Sequence, residues 1–138
     1  DPHGTDNFRV LRRAFPRAFY APFLLEQYEL CFGCHEKTIA LERYTTTLTN
    51  FRNADENLHF RHVNQRKGRT CRACHEVHAS NNPKHIRNAV PFGEWELPTN
   101  YVKYADGGKC APGCHVPRGY NRREKVRNPI DYKSFTAD

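Results

Sequence analysis

The chain contains six cysteines and eight histidines, and the cysteines form three close pairs. A histidine directly follows the second cysteine of each pair. The three units read CFGCH at 31–35, CRACH at 71–75 and CAPGCH at 110–115. Because the order of residue types is the same each time, the pattern indicates one kind of chemistry carried out at three places.

A Cys-x-x-Cys-His unit is the attachment signature of c-type haem. The two thiols add across the porphyrin vinyl groups, and the imidazole that follows binds the iron as its proximal ligand. The third unit has one extra residue between its cysteines. The sequence therefore predicts three haem c groups, attached through Cys31, Cys34, Cys71, Cys74, Cys110 and Cys114, with His35, His75 and His115 as iron ligands.

Two other uses of paired cysteines compete with haem. A disulfide framework is disfavoured, because partners two or three residues apart give poor disulfide geometry. A zinc site built from two pairs is disfavoured because the 36 residues between Cys34 and Cys71 exceed the usual gap of about 12 to 20 residues. Neither alternative explains the histidine after every pair.

The remaining histidines are candidates for the sixth iron ligand. Methionine is absent, which excludes the His/Met pairing of many cytochromes and leaves bis-histidine ligation or an open iron. The five candidates for three positions are His3, His59, His62, His78 and His85.

His78 follows His75 by three residues. On a helical turn their rings would project to one side, so they could not bind opposite faces of the same porphyrin. The DPHG segment at 1–4 also parallels HEVHA at 75–79, which suggests an internal repeat. By that parallel we assign His3 to the first haem and His78 to the third.

For the second haem we favour His62, which lies shortly before Cys71. His59, one helical turn earlier, is the alternative. His85 is a further candidate, for which an ordinary surface role is favoured over ligation.

Three segments between residues 57 and 120 resemble the multihaem c-type cytochromes of the doubled-CxxCH group. They read NLHFRHVNQRKGRTCRACHEVHAS, HIRNAVPFGEWELP and GGKCAPGCHVPRGY, and residues 1–37 resemble the group more loosely. The resemblance implies an exported electron carrier, extracellular or at the cell surface, otherwise periplasmic. Its partners would be redox proteins or extracellular electron acceptors.

Some members of that group polymerise into extracellular filaments in which one subunit lends a histidine to the next, and His3 could play that part here. The predicted function is electron transfer by three low-potential, bis-histidine haems without catalysis. The alternatives are a small multihaem reductase with one open iron, or a fragment of a larger multihaem cytochrome.

Composition limits the fold. At 138 residues and 38% hydrophobic content, the chain has few aliphatic residues for a core and no apolar stretch long enough to span a membrane. We expect one domain, mostly coil with short α-helices wrapped around three haems and little or no β-structure. Residues 1–56 would form the first-haem segment, 57–120 the second- and third-haem segment, and 121–138 a basic tail.

Helices are predicted at 22–29 and at 39–51, and turns or loops at 91–95 and 107–108. The net charge of +7 raises the question of a nucleic-acid partner. Three bis-histidine haems with ionised propionates would reduce it to roughly +4 or +1. We therefore favour solvated or contact roles for the basic residues over nucleic-acid binding.

Overall fold

The structure, a computed structural model, describes residues 4–7, 9, 11–78 and 80–129. Its α-helices are α1 (Glu29–Phe32), α2 (Thr38–Leu41), α3 (Leu58–Val63) and α4 (Cys71–Cys74), and short 3-10 turns cover Leu25–Tyr28 and Pro83–His85. The strands are β1 (Tyr20–Ala21), β2 (Arg52–Asn53), β3 (Glu56–Asn57), β4 (Gly68–Arg69), β5 (Ala89–Phe92), β6 (Trp95–Pro98), β7 (Val102–Lys103), β8 (Gly107–Cys110) and β9 (Arg118–Asn121).

The strands form four small antiparallel sheets in the described part of the chain. Strands β2 with β3 and β5 with β6 pair with their neighbours in sequence, and β7, β8 and β9 form a three-stranded sheet. Strand β1 instead pairs with the distant β4, with Tyr20 opposite Arg69. This long-range pairing brings the segment before the first cysteine pair next to the segment before the second.

The expectation of a mostly coil fold with little or no β-structure is wrong. About 24% of the described residues are in strands or isolated β-bridges, and 21% are in α- or 3-10 helices. The strands have only two to four residues, too few to show the alternation of apolar and polar residues that marks a strand in sequence. Gly107, which we expected in a loop, lies in β8, where a Cβ atom would collide with the carbonyl oxygen of Tyr120.

Of the two predicted helices, the first is shifted along the chain and the second is shorter than expected. The first prediction, 22–29, corresponds to the 3-10 turn Leu25–Tyr28, and α1 then carries the helix on to Phe32. The second, 39–51, matches only α2. After α2 the hydroxyl of Thr45 accepts hydrogen bonds from the backbone N–H groups of Thr47 and Leu48, at 3.1 and 2.9 Å. Threonine competes in this way with the helical backbone bonds and favours a turn.

The predicted loop at 91–95 is a β-hairpin. Strand β5 ends at Phe92, β6 begins at Trp95, and Gly93 between them has a φ of 61°. Glycine adopts this left-handed conformation without steric cost. The prediction was therefore correct for the turn and wrong for the residues on either side of it.

The main hydrophobic core is small. Its buried residues are Tyr28, Ala40 and Val63, and Phe23, Cys31, Phe32, Ile39 and Cys71 pack partly buried against them. The core therefore joins α1, α2, α3 and the start of α4. It also contains the first cysteine of each of the first two pairs.

Asn57 ties α2 to α3. Its side chain is fully buried and donates hydrogen bonds to the carbonyls of Ile39 and Glu42, at 2.9 and 2.8 Å. Its side-chain oxygen accepts from the N–H groups of His59 and Phe60, which makes it the N-cap of α3. One buried amide therefore fixes both the start of α3 and its position against α2.

Candidate functional site

The first two Cys-x-x-Cys-His units adopt the same hydrogen-bonded turn. The N–H of His35 donates to the carbonyl of Cys31 at 3.0 Å, and the N–H of His75 donates to the carbonyl of Cys71 at 2.9 Å. A bond from residue i to residue i−4 closes one helical turn. Each turn therefore groups two thiols and an imidazole within five residues.

The first cysteines of these two units meet in the core. A hydrogen bond between the two thiols lowers the pKa of Cys31, and the same interaction, together with burial, raises the pKa of Cys71. Cys34, by contrast, is exposed. The attachment points predicted for the first and second haems therefore lie side by side.

The third unit has a different backbone. Cys110 is the last residue of β8. The segment between the two cysteines is one residue longer than in the other units, and it turns at Gly113, whose φ is 73°. The N–H of Ala111 donates to the carbonyl of Thr99 at 3.1 Å, which ties the loop to the end of β6. Burial raises the pKa of Cys74, and Cys114 adds to this shift, so the third unit lies close to the second.

Three half-buried histidines bond to backbone carbonyls through Nδ1. His62 pairs with Leu58, His75 with Lys84 and His115 with Val116, at 2.7, 2.8 and 2.7 Å. A carbonyl oxygen can only accept, so Nδ1 must carry the hydrogen in each case. In a neutral ring this leaves the Nε2 lone pair available to bind a metal, the arrangement found behind most metal-bound histidines.

His59 is also held through Nδ1, which lies 3.1 Å from the hydroxyl oxygen of Thr49. Its ring lies 6.3 Å from that of His75 between centroids, with the two planes 15° apart. Burial lowers the pKa of His59 to about 4, and the charges of His75, His62 and His35 add to that shift. The ring is therefore neutral near pH 7.

His62 lies one turn further along α3 and stacks on Phe51, with centroids 5.7 Å apart and planes at 25°. Burial lowers its pKa to about 4; nearby Arg69 and His115 also lower it, while the bond to the Leu58 carbonyl acts in the opposite direction. Phe51 also meets the edge of His59 at 5.2 Å. The two α3 histidines therefore share Phe51 as a packing partner.

The other candidate ligands are placed differently. His35, His78 and His85 are exposed, and His3 lies outside the described residues. Helix α4 ends at Cys74 and His75 is extended, with φ −105° and ψ 136°, so His75 and His78 do not share a helical turn. The geometric argument that separated these two histidines therefore does not apply to the folded chain. Their assignment, like that of the other ligands, stays a prediction.

A loop after the second unit holds His75 in place. Lys84 and His85 both have positive φ, at 56° and 54°, which is uncommon for residues other than glycine. Arg87 donates through Nε to the carbonyls of Arg72 and His75, at 2.9 and 3.3 Å, and forms an ion pair with Glu76 at 2.9 Å. Sequence reasoning missed these contacts, since an acceptor carbonyl has no residue-type signal. It also missed Asn57, which its residue type and its position before an apolar helix could have revealed.

Among the described residues, no group of three or more His, Cys, Asp or Glu side chains is arranged to hold a metal ion. A haem iron takes only its two axial ligands from the protein, so the donors to look for are two histidines rather than a larger cluster. No helix in the described ranges has the length and apolar character needed to cross a membrane. The chain matches no protein-family model, no curated protein and no solved structure.

Proposed function

We propose that this chain is a c-type cytochrome that carries three covalently attached haems and transfers electrons. The observation that carries the proposal is the histidine that directly follows each of the three cysteine pairs. The haems would be held by the thioethers of Cys31, Cys34, Cys71, Cys74, Cys110 and Cys114 and by the imidazoles of His35, His75 and His115. When bound, haem iron supplies one-electron chemistry.

The donor set fits a haem. The turn shared by the first two units presents two thiols and an imidazole from one short segment, as attachment to a single porphyrin requires. His75 and His115 bond through Nδ1 to carbonyls, which keeps Nε2 free and fixes the ring orientation. These contacts support the proposal that the two rings bind iron.

Apolar side chains next to the three units also support the proposal. Leu30 precedes Cys31, Val77 follows the second unit, and Val116 follows the third, and these residues are 36, 48 and 42% exposed. They are three of twelve large apolar side chains exposed among the described residues, and an apolar ligand would cover such surface. A porphyrin is such a ligand, and its contact with these side chains would add to the small protein core.

The direct test is the mass of the purified, denatured protein after expression in a bacterium that attaches haem c. We expect three covalent haems per chain. The double variant Cys71→Ala/Cys74→Ala should carry two, and Cys110→Ala/Cys114→Ala should also carry two. A wild-type chain without covalent haem would contradict the proposal, and stoichiometric zinc in its place would favour the rival metal site.

A further inference from the structure

The two histidines of α3 offer a choice for the sixth ligand of the second haem. His59 and His62 are one helical turn apart, both are half-buried, and Nδ1 is hydrogen-bonded in each. Residues three apart lie on the same side of a helix, so sequence spacing cannot decide between them. The contacts of the two rings differ, and they provide a basis for choosing between the two histidines.

The spacing of the His59 and His75 rings matches the spacing of two axial ligands on one iron. A histidine nitrogen binds a first-row transition metal at about 2.0–2.1 Å, and the ring centroid lies about 1.1 Å behind that nitrogen. Two imidazoles on opposite sides of one metal therefore have centroids roughly 6 Å apart. The observed separation of the His59 and His75 rings is 6.3 Å.

The two rings are also held by separate parts of the chain. His59 lies on α3, whose start is fixed by Asn57, and its Nδ1 contacts the hydroxyl of Thr49. His75 is held by the carbonyl of Lys84, in the loop that follows the second unit. Each ring is thus oriented through Nδ1, with Nε2 as its second nitrogen. Such support orients a ligand before the metal binds.

His62 is engaged elsewhere. Its ring packs against Phe51, with centroids 5.7 Å apart, whereas the ring that lies parallel to His75 belongs to His59. From these contacts we infer that His59 and His75 are the two axial ligands of the second haem, and that His62 does not share that iron. This inference rests on the proposed function and replaces our preference from sequence for His62.

Carbon monoxide counts open irons and tests the pairing, because it binds ferrous haem only where an axial position is free. The haem content of wild type is measured first by mass, and the open irons are then counted by titration. We expect His59→Ala to add one CO-binding iron to the wild-type count. In a protein that already carries His75→Ala, the further change His59→Ala should not increase the number of CO-binding irons, because both histidines serve the same iron. This holds whether the His75→Ala protein keeps the second haem or loses it.

His62→Ala is the matched control, with the same residue type on the same helix. Its effect on the CO count should be the same with or without His75→Ala. The inference is overturned if His59→Ala opens no iron, if it opens one in both backgrounds, or if the effect of His62→Ala disappears when His75 is replaced. Absence of covalent haem from wild type overturns the proposed function as well, whereas three haems with the wrong CO pattern overturn the pairing alone.

His59→Met covers the case in which the alanine variant does not fold. A methionine thioether can replace imidazole on iron, and it raises the reduction potential. We expect one of three potentials to rise, and no rise when the second haem is deleted by Cys71→Ala/Cys74→Ala. A rise that persists in that deletion, or no rise in either protein, would overturn the pairing.

Discussion

The side-chain oxygen of Asn57 accepts a hydrogen bond from the backbone N–H of His59 at 3.0 Å. Helix α3 has only six residues, and isolated helices of that length are unstable in water. The helix that carries His59 and His62 therefore depends on contacts outside itself. Asn57 supplies the cap and, through its amide group, the link to α2.

Replacing Asn57 with alanine should destabilise the protein strongly. The change removes an N-cap, worth about 0.5–2 kcal/mol, and leaves the carbonyls of Ile39 and Glu42 without this donor, at about 1–3 kcal/mol. We expect the free energy of unfolding to fall by roughly 2–4 kcal/mol. Guanidinium denaturation measures it. The control is Asn50→Ala at an exposed position, which should change the free energy of unfolding by less than about 0.5 kcal/mol. Equal effects of the two variants would refute the role of Asn57.

Lys84 is expected to act through its backbone rather than its side chain. Its φ of 56° is left-handed, and its carbonyl accepts the Nδ1 hydrogen of His75. Lys84→Gly relieves the steric strain and keeps the carbonyl, so its free energy of unfolding should stay equal or rise by up to about 1 kcal/mol. Lys84→Val should lower it by about 1–2 kcal/mol, since a β-branched residue fits this conformation poorly.

The same valine substitution at exposed Lys67 should change stability by less than about 0.5 kcal/mol. Both Lys84 variants are measured by guanidinium denaturation, and the absorption spectrum is followed alongside. A spectrum that changes in Lys84→Gly as much as in Lys84→Val would show that the side chain, not the backbone, is needed.

Replacing Gly113 with any other residue should destabilise the protein. Its φ of 73° strains any residue with a Cβ atom, although the nearest neighbour, a methyl group of Leu97 at 3.4 Å, leaves enough space. We expect Gly113→Ala to cost about 1–2 kcal/mol of unfolding free energy, from the backbone alone. Gly119→Ala is the control, because a Cβ there makes only ordinary contacts with Val126. It should be neutral or slightly stabilising, and a Gly113→Ala variant that is equally tolerated would contradict the strain argument.

Tyr28 should make the protein sensitive to alkali. It is 1% exposed, and burial raises its pKa to about 12 from the usual 10. The unfolded chain therefore loses the phenolic proton at lower pH than the folded chain does. Stability from this group is complete below pH 10 and is lost as pH rises through about 12.

Two pKa units correspond to roughly 2.7 kcal/mol. Between pH 9 and 12, wild type should lose more unfolding free energy than Tyr28→Phe, by an amount approaching that figure. Chemical denaturation at a series of pH values provides the comparison. Parallel curves for the two proteins would show that Tyr28 does not contribute.

The sequence predicts a chemistry for this chain from local residues alone, whereas it did not predict the strands. The Cys-Cys-His units are local, so residue types within five or six positions specify the predicted attachment groups. The strands escaped prediction because pairs such as Tyr20 with Arg69 are only two residues long and far apart in the chain. Nothing in either short segment marks it as a strand before the other is placed against it.

The candidate distal ligands show a second limit. Spacing from Cys71 favoured His62, but the orientation of an imidazole depends on what contacts it. His59 and His62 differ in their partners, Thr49 and the Leu58 carbonyl, and in how each meets Phe51. Those contacts come from segments folded against α3. They could not be obtained from the number of residues between a histidine and a cysteine.

Asn53 also bears on the order in which the chain folds. Its side chain donates to the carbonyl of Val126 at 2.9 Å and accepts from the N–H groups of Val126 and Asn121, at 2.8 and 3.4 Å. These bonds join residues 68 and 73 positions apart, and contacts this distant form slowly. The turns of the first two cysteine pairs close within five residues and form much faster. We therefore expect each of these turns to form transiently, with its two thiols, before the contact that joins β2 to the segment after β9 is made.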